Sequence, residues 1–214
     1  MAPKNFSEAK KSALILFQHE PKTFYCQCPF DSQGYLNLKS CHYQSHTNKR
    51  IKKIEFEHIV PAHRFGHTLD CWAVKDKSQT KRMNGRKSCQ KQSLVFNKME
   101  ADLHNLVPVI GEINEARSNY AFTEFRNNNQ NLKYGACDIV FNAKRKLVQP
   151  SKRIRGSIAR AYLYMSKRYQ MPLNKSEIKL FNVWNKTYPP EKWEIEWNQR
   201  VAKVQGNFNT FISN

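Results

Sequence analysis

The chain has 214 residues, of which 40% are hydrophobic and 12% aromatic, so it can form a substantial core and is not typical of disorder. No segment reaches the roughly 18–20 consecutive apolar residues that span a bilayer. The 36 Lys and Arg residues against 17 Asp and Glu residues give a formal net charge of +19. Nucleic acid is the commonest partner of so basic a protein, and an anionic membrane surface is the alternative.

The first third of the chain predicts a helix, an irregular segment and a strand. Ser7 can cap the helix and Pro21 ends it. Residues 22–50 contain three of the six cysteines among turn-forming residues, and they predict irregular structure held by disulfides. The apolar, β-branched run over residues 52–60 predicts a strand. Residues 73–93 are polar and basic, and they predict a loop.

The rest of the chain predicts mostly helices. Residues 94–118 predict one helix around Met99 and another that includes Asn114, with a loop at residues 103–108 between them. A strand is expected over residues 134–142. Three amphipathic helices follow, because apolar residues recur at helical spacing. These apolar positions are Ile154, Ile158, Tyr162, Met165 and Tyr169, then Ile178, Phe181 and Trp184, then Trp193, Trp197, Val201 and Val204.

The even number of cysteines predicts disulfide bonds and an oxidising compartment. A zinc site is the weaker alternative, because no second cysteine pair stands at CxxC spacing beside Cys26-Gln27-Cys28. Six cysteines allow about 15 pairings, and connectivity stays open on this ground. Closing the shortest loops gives the pairs Cys28–Cys41, Cys71–Cys89 and Cys26–Cys137. The N-terminus does not read as a signal peptide, so we expect that a leader has been removed.

Glu57-His58, at the end of the predicted strand, is the pattern most suggestive of chemistry. With Asn114 the chain offers a carboxylate, an imidazole and an amide oxygen, the components of a one-metal phosphodiesterase. The oxygens suit Mg²⁺, and a neutral imidazole can take a proton from water. Adjacent strand residues face opposite sides, so the pair can share a site only at a strand end or bulge. Alone, the pair is more typical of a solvated carboxylate beside a structural histidine.

Motifs along the chain point to one family. They are residues 23–28 (TFYCQC), 56–62 (FEHIVPA), 65–67 (FGH), 86–89 (RKSC), 96–106 (FNKMEADLHNL), 111–114 (GEIN), 117–119 (RSN), 155–165 (RGSIARAYLYM) and 204–207 (VQGN). Together they resemble bacterial endonuclease I, a family of periplasmic or secreted non-specific nucleases with a ββα-metal (His-Me finger) active site. The resemblance implies an α+β fold: a mostly helical, disulfide-stapled single domain over residues 1–214. A small sheet would carry the ββα-metal motif over about residues 52–118, followed by a helical part over about 151–206.

The resemblance also implies roles for individual residues. Glu57 and Asn114 would bind one Mg²⁺, with Mn²⁺ or Ca²⁺ as alternative ions. His58 would be the general base, and Arg86 would contact the scissile phosphate or its neighbour. Asn105 would brace the loop that positions His58. Two further residues, Glu100 and His104, would support the site, with buried structural roles as the alternative.

The implied activity is sequence-independent hydrolysis of double- and single-stranded DNA, and of RNA, by a monomer, leaving 5′-phosphate and 3′-hydroxyl ends. No action on membranes is expected. Besides Arg86, the candidates for phosphate contact are Arg153, Arg155 and Arg160, for which a solvated helix face is equally plausible. The alternatives are a non-catalytic basic DNA-binding protein and a cationic membrane-active protein.

Two features depart from the family pattern. The segment between Cys71 and Cys89 is longer than usual, and the additional residues are basic. Two C-terminal cysteines of the family are absent: Trp193-Glu194-Ile195 stands where one is expected, and residues 208–214 contain none. We therefore expect one disulfide fewer and a looser C-terminal region.

Overall fold

The computed structural model describes residues 1–73, 85–125 and 132–212. Helices predominate in these ranges, and the α+β class is confirmed. The helices are α1 (Phe6–Leu16), α2 (Ala62–Gly66), α3 (Gly85–Gln92), α4 (Leu94–Glu100), α5 (Gly111–Arg117), α6 (Lys152–Tyr169), α7 (Lys175–Thr187) and α8 (Lys192–Gln205). The strands are β1 (Ile54–His58), β2 (Leu106–Ile110), β3 (Ala121–Phe122), β4 (Leu132–Tyr134), β5 (Cys137–Asn142) and β6 (Leu147–Pro150).

Strands β1 and β2 form an antiparallel pair, with registers running from Ile54 opposite Ile110 to His58 opposite Leu106. Helix α5 follows β2 directly, so the two strands and this helix form a ββα unit. The loop predicted at residues 103–108 is wrong in part, because only a short 3-10 turn precedes β2. All five residues of β2 are buried, so its side chains show no apolar–polar alternation from which a strand could be predicted.

The second sheet has the strand order β3-β6-β5-β4. The single strand predicted over residues 134–142 is in fact a hairpin of β4 and β5, which pair antiparallel. Gly135 makes the reversal, with a φ of +61° that favours glycine. A Cβ at this position would lie 2.4 Å from the carbonyl oxygen of His42, so a side chain has no room there.

Two further predicted boundaries are corrected by the structure. Helix α1 begins at Phe6, and its cap is Asn5 rather than Ser7, because the Asn5 side chain accepts a hydrogen bond from the Glu8 N–H. The loop predicted over residues 73–93 is wrong from residue 85 onward, where α3 forms and buries Ser88 and Cys89 on one face. The rest of that loop, and with it most of the basic addition between Cys71 and Cys89, lies outside the described residues.

Helices α6, α7 and α8 confirm the prediction for the last third. Gly206 ends α8 in the left-handed conformation, with a φ of +88°. The tail that follows packs against the helices rather than extending from them. Asn209 is buried and donates its side-chain amide to the carbonyl of Arg160, while its backbone N–H donates to the Asn198 side chain. Side-chain hydrogen bonds thus anchor this region without the missing disulfide.

The disulfides are Cys26–Cys137, Cys28–Cys41 and Cys71–Cys89, as the shortest-loop pairing predicts. They use all six cysteines, which rules out the zinc alternative. Cys26–Cys137 joins the irregular N-terminal segment to β5 across 111 residues of chain. Among the described helices, none has the length and apolar character needed to cross a membrane.

Candidate active site

A cavity of about 470 Å³ opens beside the ββα unit and is called the ββα cavity below. Its walls include Glu57 and His58 from β1, Arg86 from α3 and Asn114 from α5. The four residues predicted to act on the substrate therefore meet in one place. Strand β1 ends at His58, which satisfies the requirement that Glu57 and His58 lie at a strand end.

The Glu57 carboxylate is buried, with only 3% of the residue exposed. Its Oε1 accepts a hydrogen bond of 2.9 Å from the Tyr25 hydroxyl and lies 3.1 Å from Nε of the buried Arg117. Its Oε2 has no hydrogen-bond partner in the part of the chain that the structure describes. Burial raises the pKa of Glu57 to about 7, although Arg117 and Tyr25 act in the opposite direction. A buried carboxylate oxygen without a partner is a suitable ligand for a cation.

Asn114 presents its side chain to the same cavity from α5. Its Nδ2 donates a hydrogen bond of 2.9 Å to Oε2 of Glu55, and its Oδ1 accepts none from the described residues. Burial alone would raise the pKa of Glu55, but hydrogen bonds from Arg50 and Asn114 hold it below the ordinary value.

Glu57 and Asn114 thus offer one carboxylate oxygen and one amide oxygen. Across residues 1–73, 85–125 and 132–212, no group of three or more His, Cys, Asp or Glu side chains is arranged to hold a metal. This sparse oxygen set fits Mg²⁺, which retains several waters and needs few protein ligands.

The His58 ring is held in one orientation by its neighbours. Its Nε2 lies 2.8 Å from the carbonyl oxygen of Glu100, and its ring packs against Phe6 and Phe65 at centroid distances of 4.7 and 6.0 Å. A carbonyl can only accept, so Nε2 carries the hydrogen and Nδ1 keeps a lone pair. Burial lowers the pKa of His58 to about 3, with a further contribution from the charge of Arg86. The ring is therefore neutral near pH 7, the form that a base requires.

Glu100 links His58 to Arg86. Its backbone carbonyl accepts from His58, and its buried carboxylate accepts from Nε of Arg86 and from the amide of Gln90. The Arg86 guanidinium lies 5.1 Å from the ring centre of Phe6, on the wall of the ββα cavity. Glu100 thus contacts both predicted site residues, and its supporting role stays a prediction.

The backbone that follows β1 is held from two sides. The Asn105 side chain accepts a hydrogen bond of 2.7 Å from Val60 N–H and donates one of 3.0 Å to Val60 C=O, as a brace would. The Arg117 guanidinium donates to the carbonyls of His58 and Ile59. The two side chains fix the path of the chain where β1 ends.

A family model described as Endonuclease I matches residues 4–214. The chain belongs to the endonuclease I family. An extracellular deoxyribonuclease of Aeromonas hydrophila is 44% identical over 212 residues, covering 97% of this chain and 88% of the relative. A periplasmic deoxyribonuclease of the same organism is 43% identical, covering 97% and 84%. Endonuclease-1 of Buchnera aphidicola subsp. Acyrthosiphon pisum is 40% identical, covering 97% and 80%.

These matches confirm the predicted family and the predicted class of enzyme, an endonuclease. The names of the Aeromonas relatives place them in the periplasm or outside the cell, in agreement with the predicted localisation. The three disulfides of this endonuclease fit such an oxidising compartment.

Two of the arginines predicted to contact phosphate are buried in this endonuclease. Arg155 is 6% and Arg160 is 1% exposed. Arg160 donates from Nε and Nη2 to the Glu194 carboxylate, and Arg155 donates to the carbonyl of Pro150. The prediction is wrong for these two residues, because both guanidinium groups are buried and ion-paired within the fold, Arg160 with Glu194 and Arg155 with Glu124. Arg153 is on the exposed face of α6 and stays a candidate.

His104 does not line the ββα cavity. Its Nε2 bonds to the carbonyl of Asn207, and its ring lies 4.8 Å from that of Tyr164. The structure therefore favours the alternative role for His104, anchoring the C-terminal tail, over support of the active site.

Several residues around the cavity were not singled out from the sequence as site residues. They are Phe6, Tyr25, Arg50, Glu55 and Arg117. Of these, only Glu55 could have been predicted from the sequence, because it precedes Glu57 by two positions in the strand and so lies on the same face. The others approach the cavity through tertiary packing, which a local pattern does not reveal.

Proposed function

We propose that this chain is a non-specific, metal-dependent endonuclease that hydrolyses DNA, and also RNA, to 5′-phosphate and 3′-hydroxyl ends. One observation carries the proposal: Glu57, His58, Arg86 and Asn114 line a single cavity. DNA is the favoured substrate because relatives at 43–44% identity are named deoxyribonucleases.

Oε2 of Glu57 and Oδ1 of Asn114 would hold one divalent cation, Mg²⁺ by preference, with Mn²⁺ or Ca²⁺ as alternatives. The support is that neither oxygen has a hydrogen-bond partner in the described ranges. When bound, such an ion stabilises negative charge on the phosphoryl group and on the departing 3′ oxygen.

Nδ1 of His58 would accept a proton from the attacking water. The hydrogen bond from Nε2 to the Glu100 carbonyl keeps the ring oriented during this transfer. The Arg86 guanidinium, anchored on the Glu100 carboxylate, would bind an oxygen of the scissile phosphate. Asn105 would keep the end of β1 in place while the water is deprotonated.

Substrate would be attracted by charge. The net charge is +19, and Lys10 lines the cavity as well, whereas the Arg50 charge there is paired with Glu55. Contacts to phosphates carry no base information, so binding should be indifferent to sequence.

The decisive experiment is incubation of supercoiled plasmid with the protein in Mg²⁺ or in EDTA. Nicking that requires Mg²⁺ is expected, since the cation is part of the mechanism. Loss of at least about 100-fold is expected for His58→Ala, the lower end of what a positioned base contributes. Glu57→Ala should lose more, because it removes a cation ligand.

His19→Ala is the matched control, since His19 is exposed and does not line the cavity. Plasmid that migrates more slowly in a gel but is not nicked in either buffer would instead support a DNA-binding protein. Leakage of lipid vesicles would support a membrane-active protein. Near-full activity of His58→Ala would contradict its assignment as the base.

A further inference from the structure

An asparagine that binds a cation must present its oxygen rather than its nitrogen. The two ends of the amide are nearly equal in size, so shape alone does not select between them. Asn114 is only partly buried on α5, and packing leaves this choice open. A neighbouring group that can only accept hydrogen bonds would select the orientation of the amide, because it can pair with the NH₂ group but not with the oxygen.

Glu55 is such a partner. Its Oε2 accepts from Nδ2 of Asn114 at 2.9 Å. Glu55 lies two residues before Glu57 on β1, so one strand face carries both carboxylates. Glu57 meets Tyr25 and Arg117, whereas Glu55 meets Arg50 and Asn114. The two carboxylates therefore have different partners within one cavity.

The Glu55 carboxylate is itself fixed. Arg50 donates from Nε to Oε1 at 2.8 Å and from Nη2 to Oε2, a two-pronged pair that sets the plane of the carboxylate. Gly111, the first residue of α5, allows the close approach of the helix. A Cβ at Gly111 would lie 2.4 Å from Oε1 of Glu55 and 2.6 Å from the carbonyl oxygen of Arg50.

We propose that Glu55 is a positioning residue that turns the amide oxygen of Asn114 toward the cation site, and that Arg50 holds Glu55 for this task. The inference rests on the proposed function, in which Asn114 is a cation ligand. Glu55 acts through Asn114 and is not itself a ligand. The chain of contacts runs from Arg50 through Glu55 to Asn114.

A charge-conserving swap tests the proposal, with Mn²⁺ binding measured by electron paramagnetic resonance in the absence of DNA. Asn114→Asp alone places two carboxylates against each other and should weaken Mn²⁺ binding. Glu55→Gln alone allows the new glutamine amide and the Asn114 amide each to rotate by 180°. It should weaken Mn²⁺ binding about tenfold, the order expected for losing a hydrogen bond to a charged group. The double variant restores the hydrogen bond with reversed polarity, so binding should return to within about threefold of wild type.

Glu115→Gln is the matched control. Glu115 also pairs with Arg50, at 3.5 Å, but is exposed and makes no described contact with Asn114. This variant should bind Mn²⁺ like the wild type. Should Asn114→Asp fail to fold, Arg50→Gln offers an independent test, because it leaves Glu55 and Asn114 in place and removes the two-pronged pair. Arg50→Gln should then also bind Mn²⁺ more weakly.

Wild-type Mn²⁺ binding by Glu55→Gln overturns the proposal. So does a swap that stays as weak as Glu55→Gln, the result expected if Glu55 were a ligand. The proposed function fails separately: its cation site is wrong if Glu57→Ala binds Mn²⁺ like the wild type and keeps its nuclease activity.

Discussion

At the scale of single residues, three polar side chains of the ββα cavity share one arrangement. In each of them, one polar atom forms a hydrogen bond within the protein, and a second polar atom forms none with the described residues. Glu57 bonds through Oε1, His58 through Nε2 and Asn114 through Nδ2. The remaining atoms, Oε2, Nδ1 and Oδ1, have no hydrogen-bond partner among the described residues. The internal bonds therefore orient the atoms that the proposed reaction needs.

Phe6 is a residue whose effect can be predicted at this scale. Its ring packs 4.7 Å from His58 and lies 5.1 Å from the Arg86 guanidinium. Phe6→Ala should lower kcat about tenfold, because both groups lose a wall that fixes their orientation. Phe6→Tyr should keep most activity, since the ring remains. Steady-state cleavage of a labelled oligonucleotide measures the effect.

Phe208→Ala is a suitable control for Phe6, because Phe208 is 57% exposed and does not line the cavity. A Phe6→Ala protein with unchanged kcat would contradict the orienting role.

His104 gives a prediction for stability against pH. Burial lowers its pKa below the ordinary 6.5, although Asp102 acts in the opposite direction. Below about pH 6.5 the unfolded chain therefore binds more protons at this residue than the folded chain does, so acid favours unfolding. His104→Gln should reduce the loss of unfolding free energy between pH 6.5 and 4.5. Urea unfolding at several pH values measures it, and parallel pH profiles for the two proteins would refute the prediction.

At the scale of elements, the junction after β1 decides whether Glu57 and His58 can share a site. Strand β1 ends at His58, and Asn105 and Arg117 hold the three residues from His58 to Val60. Asn105 comes from the turn before β2, and Arg117 from the last residue of α5. The ββα unit is thus held together by these side-chain hydrogen bonds to the backbone at the end of β1, as well as by the pairing of its two strands.

Asn105→Ala tests this junction. It leaves the N–H and C=O of the fully buried Val60 without their partner, and each such group costs about 1–3 kcal/mol. We expect a loss of about 2–4 kcal/mol of unfolding free energy and a lower kcat, with little change in KM. Urea unfolding and steady-state kinetics on one preparation measure both. A protein that is less stable but has an unchanged kcat would show that the brace does not position His58.

The elements also show what could be predicted from the sequence. Helices α6, α7 and α8 follow from apolar residues that recur at helical spacing, although α6 buries every residue from Ile154 to Tyr162 rather than a single stripe. Strand β2 could not be recognised in this way, because it is buried on both faces and contains Pro108. Glu57, His58 and Asn114 could be found by their chemistry together with the family resemblance. Tyr25 and Arg117 could not, because their role depends on contacts 32 or more positions away along the chain.

Errors in the predicted phosphate surface have the same origin. Arg160 looks like a solvated residue of a helix, and only the fold brings Glu194 beside it. Local sequence reports the charge of a side chain but not the neighbour that neutralises it. Net charge is consequently a better guide to the attraction of DNA than any individual arginine.

At the scale of the whole molecule, that charge of +19 predicts a dependence on salt. Binding to phosphates releases counterions, so affinity for DNA should fall steeply as NaCl rises. We expect KM to increase by at least tenfold between about 50 and 200 mM NaCl, with a much smaller change in kcat. Initial rates against DNA concentration at several salt concentrations measure both constants. A KM that is constant over this range would exclude phosphate contacts as the main source of affinity.

Helix α5 has only seven residues, yet it contacts two separate parts of the chain, the segment that includes residues 43–47 and strand β1. Glu112 accepts hydrogen bonds from the segment that includes Tyr43 and Thr47, Asn114 meets Glu55, and Arg117 meets Glu57. Each helical residue advances by about 100° around the axis. One residue inserted between Glu112 and Asn114 would swing the amide by that angle while the start of the helix stayed in place. The cavity therefore depends on the angle at which each α5 residue projects from the helix axis, as well as on where the helix lies. Any redesign of this nuclease must preserve the length of α5.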